Sequence, residues 1–181
     1  MTGSGKSTVA RKLAEKYGLR YYSGGAVLKA LAIEAGYKPV ERGWWESEEG
    51  LRFLRQRSLD LSFDRQIDEK LVEVAKFGDV VLDSWTMPWL LKEGFKVWLE
   101  CSEKVRARRL AERNGIDFQE ALKALRDKEE QTKGIYCGLY GFALGEDFGP
   151  FDLVLDVTDL SVDEVLRAVC LVVDDLLFGK S

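Results

Sequence analysis

Apolar residues recur along this chain in two ways. Some fall at spacings of three and four, the period of an amphipathic helix, and others form short unbroken runs of the kind found in buried strands. Val9, Ala10, Leu13, Ala14 and Tyr17 share one helical face, and Gly18 stands where that helix should end. Leu19-Arg20-Tyr21-Tyr22 reads as a short strand, and Ser23-Gly24-Gly25 as a turn into a second helix bearing Val27, Leu28, Leu31 and Ala32. A polar stretch with Gly36, Pro39 and Gly43 follows, then predicted helices near 47–58 and 62–77, the second closed by Gly78. Val80-Val81-Leu82 is a compact apolar strand that runs into Asp83, and 95–99 is the next strand. Helices are predicted near 102–113 and 117–133. The stretch 134–150, rich in glycine and aromatics, reads as an ordered loop or a short helix. A last strand at 153–155 and a last helix at 161–178 complete the pattern. Helices alternating with strands imply an α/β fold around a parallel sheet. No repeat, low-complexity segment or linker divides it, so one domain is expected.

The first helix is preceded by Met1-Thr2-Gly3-Ser4-Gly5-Lys6-Ser7-Thr8. This matches the later part of the phosphate-binding pattern G-x-x-x-x-G-K-[ST]. Glycines let successive backbone N–H groups turn inward onto phosphate oxygens. The positive end of the following helix faces the same anion. Gly3, Ser4, Gly5, Lys6, Ser7 and Thr8 are thus candidates to hold a nucleotide's phosphates, with Lys6 reaching the β- and γ-phosphates and Ser7 ligating Mg²⁺. The bland alternative is a glycine-rich turn ahead of a helix. The pattern's first glycine would lie one residue before Met1, and its lead-in strand further upstream. Met1 is therefore expected to be an internal loop residue of a longer natural chain. Without that central strand its neighbours lose ladder hydrogen bonds, so a version extended upstream should be more stable.

Composition narrows the chemistry. A chain of 181 residues with 46% hydrophobic and 32% charged residues suits a globular domain with a real core. No apolar run approaches the length of a membrane span, and the first residues do not form a signal peptide. Net charge is −4 with both signs interspersed, which argues against large nucleic acids as partners. Cys101, Cys137 and Cys170 are odd in number and lack metal-ligand spacing, which fits a reducing, cytoplasmic setting. There is no histidine, which removes histidine general-base chemistry and most zinc sites. Phosphoryl transfer does without it, because positioning and charge stabilisation dominate there.

Three further groups carry candidate chemistry. Asp83 ends a strand at the carboxyl edge, where ligands bind in open α/β sheets, and is either part of a Mg²⁺ shell or a helix N-cap. Arg106, Arg109 and Arg113 fall at i, i+3 and i+7 on one helical face. They form either a lid over transferring phosphates or a solvated basic face balanced by Glu103 and Glu112. Asp64 and Asp68 lie one turn apart, and either face an acceptor pocket or form a surface pair of like charges. Trp85 and Trp89 either stack on a base or pack in the core.

With these residues in view, the chain resembles the nucleoside monophosphate kinases, and most closely the archaeal cytidylate kinases. The likeness runs in order over nearly the whole chain. It is carried by the loop, by Tyr21-Tyr22-Ser23-Gly24-Gly25 where the family shows Ser-Ala-Gly, and by Asp64-Arg65-Gln66-Ile67-Asp68 ahead of Val80-Val81-Leu82-Asp83. Val105-Arg106, Arg109-Leu110-Ala111-Glu112-Arg113, Phe118-Gln119-Glu120-Ala121-Leu122 and Phe151-Asp152-Leu153-Val154-Leu155-Asp156 also match. The resemblance implies transfer of the ATP γ-phosphoryl to CMP or dCMP with Mg²⁺. Lys6, Arg106, Arg109 and Arg113 would be catalytic, Ser23, Lys29, Asp64, Asp68 and Asp83 would lie at the acceptor, and Ser7 and Asp83 would hold the metal. It further implies an acceptor-binding helical part over about 24–77, a lid over about 106–136, and a monomer. The chain departs from the family at Lys29, where arginine is usual, and at Ser84-Trp85, where Gly-Arg often follows the acid. Lys128-Glu129 and Ile135-Tyr136 stand where the family shows Arg-Glu-x5-Arg-Tyr, with Arg126 nearby as a substitute. Arginine and lysine are not equivalent at a bidentate phosphate contact. The alternatives are therefore a kinase for another small acceptor, such as AMP, UMP or a non-nucleotide, or an inactive nucleotide-binding paralogue.

Overall fold

The computed structural model describes residues 1–38 and 43–179; Pro39, part of the polar stretch noted above, lies outside them. The first helix, α1 (Lys6–Tyr17), ends at Gly18, which adopts the left-handed conformation (φ 65°) that glycine reaches without steric cost. Strand β1 (Arg20–Ser23) leads into α2 (Gly24–Glu34), whose N-cap Ser23 accepts a hydrogen bond from the Ala26 N–H. A 3-10 turn at Trp44–Glu46 precedes α3 (Glu48–Leu59) and α4 (Ser62–Ala75). Strand β2 (Val80–Asp83), a short helix α5 (Met87–Leu90) and β3 (Val97–Glu100) follow. Helices α6 (Glu103–Asn114) and α7 (Phe118–Tyr140), strand β4 (Leu153–Asp156) and α8 (Val162–Val173) complete the order, with a π-helical turn at Asp174–Phe178.

The strands pair in parallel, as the alternation with helices requires. β1 lies beside β2 in the register Arg20↔Val80 to Ser23↔Asp83, and β3 beside β4 from Val97↔Leu153 to Glu100↔Asp156. Among the described residues these are two separate two-stranded sheets. The carboxyl ends of β1 and β2 bring Ser23 and Asp83 side by side. Around the β1–β2 pair, Leu28, Ala32, Trp44, Phe53, Ile67 and Leu71 form one apolar cluster. Val9, Leu99, Val157, Val165 and Val169 form a second between α1, the β3–β4 pair and α8. A third gathers Leu54, Trp98, Ile135, Tyr136, Phe142 and Leu144.

Two elements differ from the sequence expectation. Helix α7 runs to Tyr140, where the pattern ended it near 133. Gly134 and Gly138 cost about 1 kcal/mol each in a helix interior. Ile135 and Tyr136, 3% and 9% exposed, hold the continuation in place by packing into the third cluster. The helix stops at Gly141, whose φ of 75° is left-handed. Helix α5 was not anticipated; it is one turn long, starts behind Thr86 and carries Pro88 in its first turn, where no N–H is required. Trp89 within it takes the core alternative, stacked on Phe142 at 4.0 Å and 7°.

Candidate functional site

The loop, the carboxyl ends of β1 and β2, the 3-10 turn and helices α3, α4 and α7 enclose one cavity of about 270 Å³, near the lower end of small-molecule sites at about 300–1,000 Å³. At its loop end, Gly3 and Gly5 adopt φ of 78° and 91°, and Lys6, Ser7 and Thr8 open onto the space. Ser4 is buried instead. Its hydroxyl donates to the Met1 carbonyl at 2.9 Å, and it lines a second cleft between the loop, Arg109 and the segment after β4.

Asp83 stands at the carboxyl end of β2, buried against the loop. It caps no helix: α5 begins behind Thr86. Its carboxylate pairs with the Lys6 ammonium on one oxygen and accepts from the Tyr21 hydroxyl at 2.8 Å on the other. Burial, and after it the Lys128 ammonium, lower the pKa of Lys6 to about 7, while the adjoining carboxylate favours the charged form. Ser7 and Asp83 together offer hard oxygen donors beside the phosphate loop. That set fits Mg²⁺, which takes one or two carboxylates and completes its shell with water and substrate phosphates.

The far end of the cavity is polar and buried. Asp64 and Asp68 are 3% and 6% exposed, so they are not a surface pair. Asp64 forms a two-point pair with Arg57, whose Nε and Nη2 donate at 3.1 and 2.6 Å. Burial works against the Arg57 charge, and the Asp64 carboxylate outweighs it and raises the guanidinium's pKa. Asp68 accepts from the hydroxyls of Thr86 and Tyr140. Burial pushes its pKa up to about 6 against those two hydrogen bonds. Ser23 and Trp85 also line the space, and Trp45 stands in its wall.

The three arginines of α6 divide two to one. Arg113 opens onto the cavity and donates to Glu46 of the 3-10 turn at 3.1 Å. Arg109, bonded to the carbonyls of Val157 and Leu160, lines the second cleft, and Arg113 lines that cleft as well. Arg106 lines neither. Two of the three expected cations therefore share the cleft beside the loop, while Arg106, in the first turn of α6, meets the Thr2 carbonyl instead. Lys29 also stands away from the cavity, with its ammonium 5.9 Å from the Trp44 ring. Arg126 pairs with Glu103 on the surface and does not serve as a substitute cation.

Lys128, two residues further along α7, is at the cavity wall. It lies 5.2 Å from the Trp45 ring and 3.5 Å from Glu46, with its pKa lowered chiefly by burial. Sequence reasoning noted Lys128 only as a departure and overlooked Arg57, Glu46, Thr86 and Tyr140. Arg57 and Asp64 are seven positions apart across a helix break, and Tyr140 is 72 positions from Asp68, so no local spacing marks them.

A parallel α/β scaffold with a glycine loop beside a cavity that carries several charged side chains is the framework of a nucleotide-binding protein. The Cytidylate kinase-like family matches residues 1–159, and the chain belongs to that family. It is 31% identical to a cytidylate kinase from Pyrococcus horikoshii, over 97% of this chain and 86% of the relative. It is 33% identical to the cytidylate kinase of Methanocaldococcus jannaschii, over 97% of this chain and 95% of that one. A crystal structure of an uncharacterized protein from Eubacterium ventriosum shares the fold, with a TM-score of 0.59 at 17% identity over 96% of this chain and 93% of that one. Among the described residues no helix is long and apolar enough to cross a membrane.

Proposed function

We propose that this protein transfers the γ-phosphoryl group of ATP to CMP or dCMP, yielding ADP and the pyrimidine nucleoside diphosphate. The observation that carries the reading is the single cavity joining the Lys6–Asp83 pair at a phosphate loop to a buried, hydrogen-bonding recess around Asp64 and Asp68. The loop's N–H groups and Lys6 hold the donor phosphates. Ser7 and Asp83 would hold Mg²⁺, which neutralises phosphate charge when bound. The recess takes the acceptor, with Ser23 at the turn into α2. Attack by an acceptor phosphate oxygen on the γ-phosphorus is in line, so no covalent protein intermediate is needed. Lys128 and Arg113 place positive charge on the far side of the transferring group, and Arg109 borders the second cleft beside the loop.

In this reading 24–77 forms the acceptor-binding part, 106–136 the lid, and the protein acts as a monomer in the cytoplasm. Lys29 binds the acceptor only after a change of side-chain position. The finer sheet arrangement belongs to the same reading. In it the β1–β2 and β3–β4 pairs belong to one parallel sheet between two helical layers, the three-layer form of a P-loop kinase.

The test of the activity is ADP release with Mg-ATP and CMP, dCMP, UMP or AMP in turn. Turnover with CMP or dCMP, lost in Lys6→Ala, is the expected result. ATP binding without turnover on any of the four acceptors would overturn it.

A further inference from the structure

Arg106 and Glu129 are both charged, nearly enclosed and absent from either cavity's lining. Their side chains are 8% and 11% exposed and form an ion pair between α6 and α7. Burying two charges is costly unless their remaining hydrogen-bonding positions are also filled. Here the phosphate loop and the Cys101 carbonyl fill several of them. Arg106 Nη1 donates to the Thr2 carbonyl at 3.2 Å, and its Nε to the Cys101 carbonyl at 2.9 Å. The Thr2 N–H in turn donates to Glu129 Oε1 at 3.2 Å. Both backbone polar groups of one loop residue are therefore held by the two partners of one buried ion pair.

The next residue is pressed onto the same support. A Cβ added at Gly3 would lie 2.8 Å from the Arg106 carbonyl oxygen and 3.1 Å from the Arg106 Cβ. The loop thus rests directly on the first turns of α6, and only a residue without a side chain fits. Lys128 and Glu129 are adjacent on α7, yet the first opens onto the cavity while the second reaches the loop from behind.

We propose that Arg106 and Glu129 are positioning residues, a clamp that sets the path of the loop by gripping Thr2 at both its N–H and its carbonyl. This rests on the reading of the loop as the seat of the ATP phosphates. A cradle of N–H groups binds an anion only if their directions are fixed beforehand, and the clamp fixes the loop's entry from outside the loop itself. Arg106 then contributes to catalysis without touching the nucleotide. Charge alone does not replace it, because lysine cannot reach the Cys101 and Thr2 carbonyls and Glu129 with a planar fork.

The experiment uses the full chain with Arg106→Lys, Glu129→Gln and the double variant; these mild changes keep the test open if Glu129→Ala does not fold. Calorimetric ADP titration and steady-state kinetics are read beside hydrogen exchange of the amides in 1–8. Each single variant is expected to weaken ADP binding and raise KM for ATP by about ten-fold, with KM for CMP unchanged within about two-fold. Loop amides should exchange faster, and the double variant should be little worse than either single one. A fall in kcat with ADP affinity and loop exchange unchanged, and with Arg106→Lys nearly active, would overturn the clamp and place Arg106 at the transferring group. If the wild type binds no ADP but the variants still speed loop exchange, the clamp stands and the nucleotide reading fails.

Discussion

The two ends of the cavity are made of different materials. The loop end is contiguous in sequence: eight residues supply backbone N–H groups, two glycines at positive φ and one lysine, and their use follows from local conformation. The acceptor end is assembled from α3, α4, α7 and the segment after β2, and its polar groups are completed by partners on other elements. Backbone geometry makes the first end; desolvated side-chain pairing makes the second. The loop end should therefore fail in function when altered, and the acceptor end in stability.

The largest test of that division is Arg57→Ala. It leaves Asp64 buried and unpaired, and breaking such a pair costs about 3–5 kcal/mol, to be read as a lowered denaturation midpoint. Lys6→Ala comes next. Turnover should fall by about 10²- to 10³-fold with the far-ultraviolet circular dichroism unchanged, the size of effect seen when one charge-stabilising group is lost from an active site. A collapse of the fold in Lys6→Ala, or full stability in Arg57→Ala, would erase the contrast.

Asp68 sharpens it through pH. Its folded-state pKa stands near 6 against an ordinary 3.8, so the native state favours the protonated form. The stabilisation it contributes is complete below about pH 4 and is lost as pH rises through about 6. Asp68→Asn is expected to flatten the fall in stability across that window, measured by denaturant unfolding at successive pH values. The smallest effect belongs to Tyr21→Phe. Removing one hydrogen bond to Asp83 should raise the Mg²⁺ concentration for half-maximal rate by roughly five-fold, about 1 kcal/mol.

The same contrast explains what the sequence disclosed. The strands, the helix starts and the loop are written in adjacent residues, and Gly18 and Asp83 stand where the pattern put them. Asp64 and Asp68 were legible as a pair because one helical turn separates them, but their burial was not, since Arg57 and Tyr140 reach them from other helices. That Arg106 lies behind the loop, while Arg109 and Arg113 line the second cleft, was hidden for a related reason. Helical spacing fixes a side chain's direction from its own axis, while the neighbour it meets depends on packing that no single helix encodes. The continuation of α7 through two glycines was hidden by the same gap between local propensity and tertiary support.

One feature of the cavity wall makes the protein its own optical reporter. Of the five tryptophans, Trp45 and Trp85 line the cavity, while Trp44 and Trp98 are enclosed in apolar clusters and Trp89 is stacked on Phe142. Trp45 also lies within 5.2 Å of the Lys128 ammonium, so any anion that draws Lys128 away changes the field at the indole. Intrinsic fluorescence should shift when the acceptor end fills and stay nearly constant when only the second cleft does, distinguishing occupancy of the two by colour without any label.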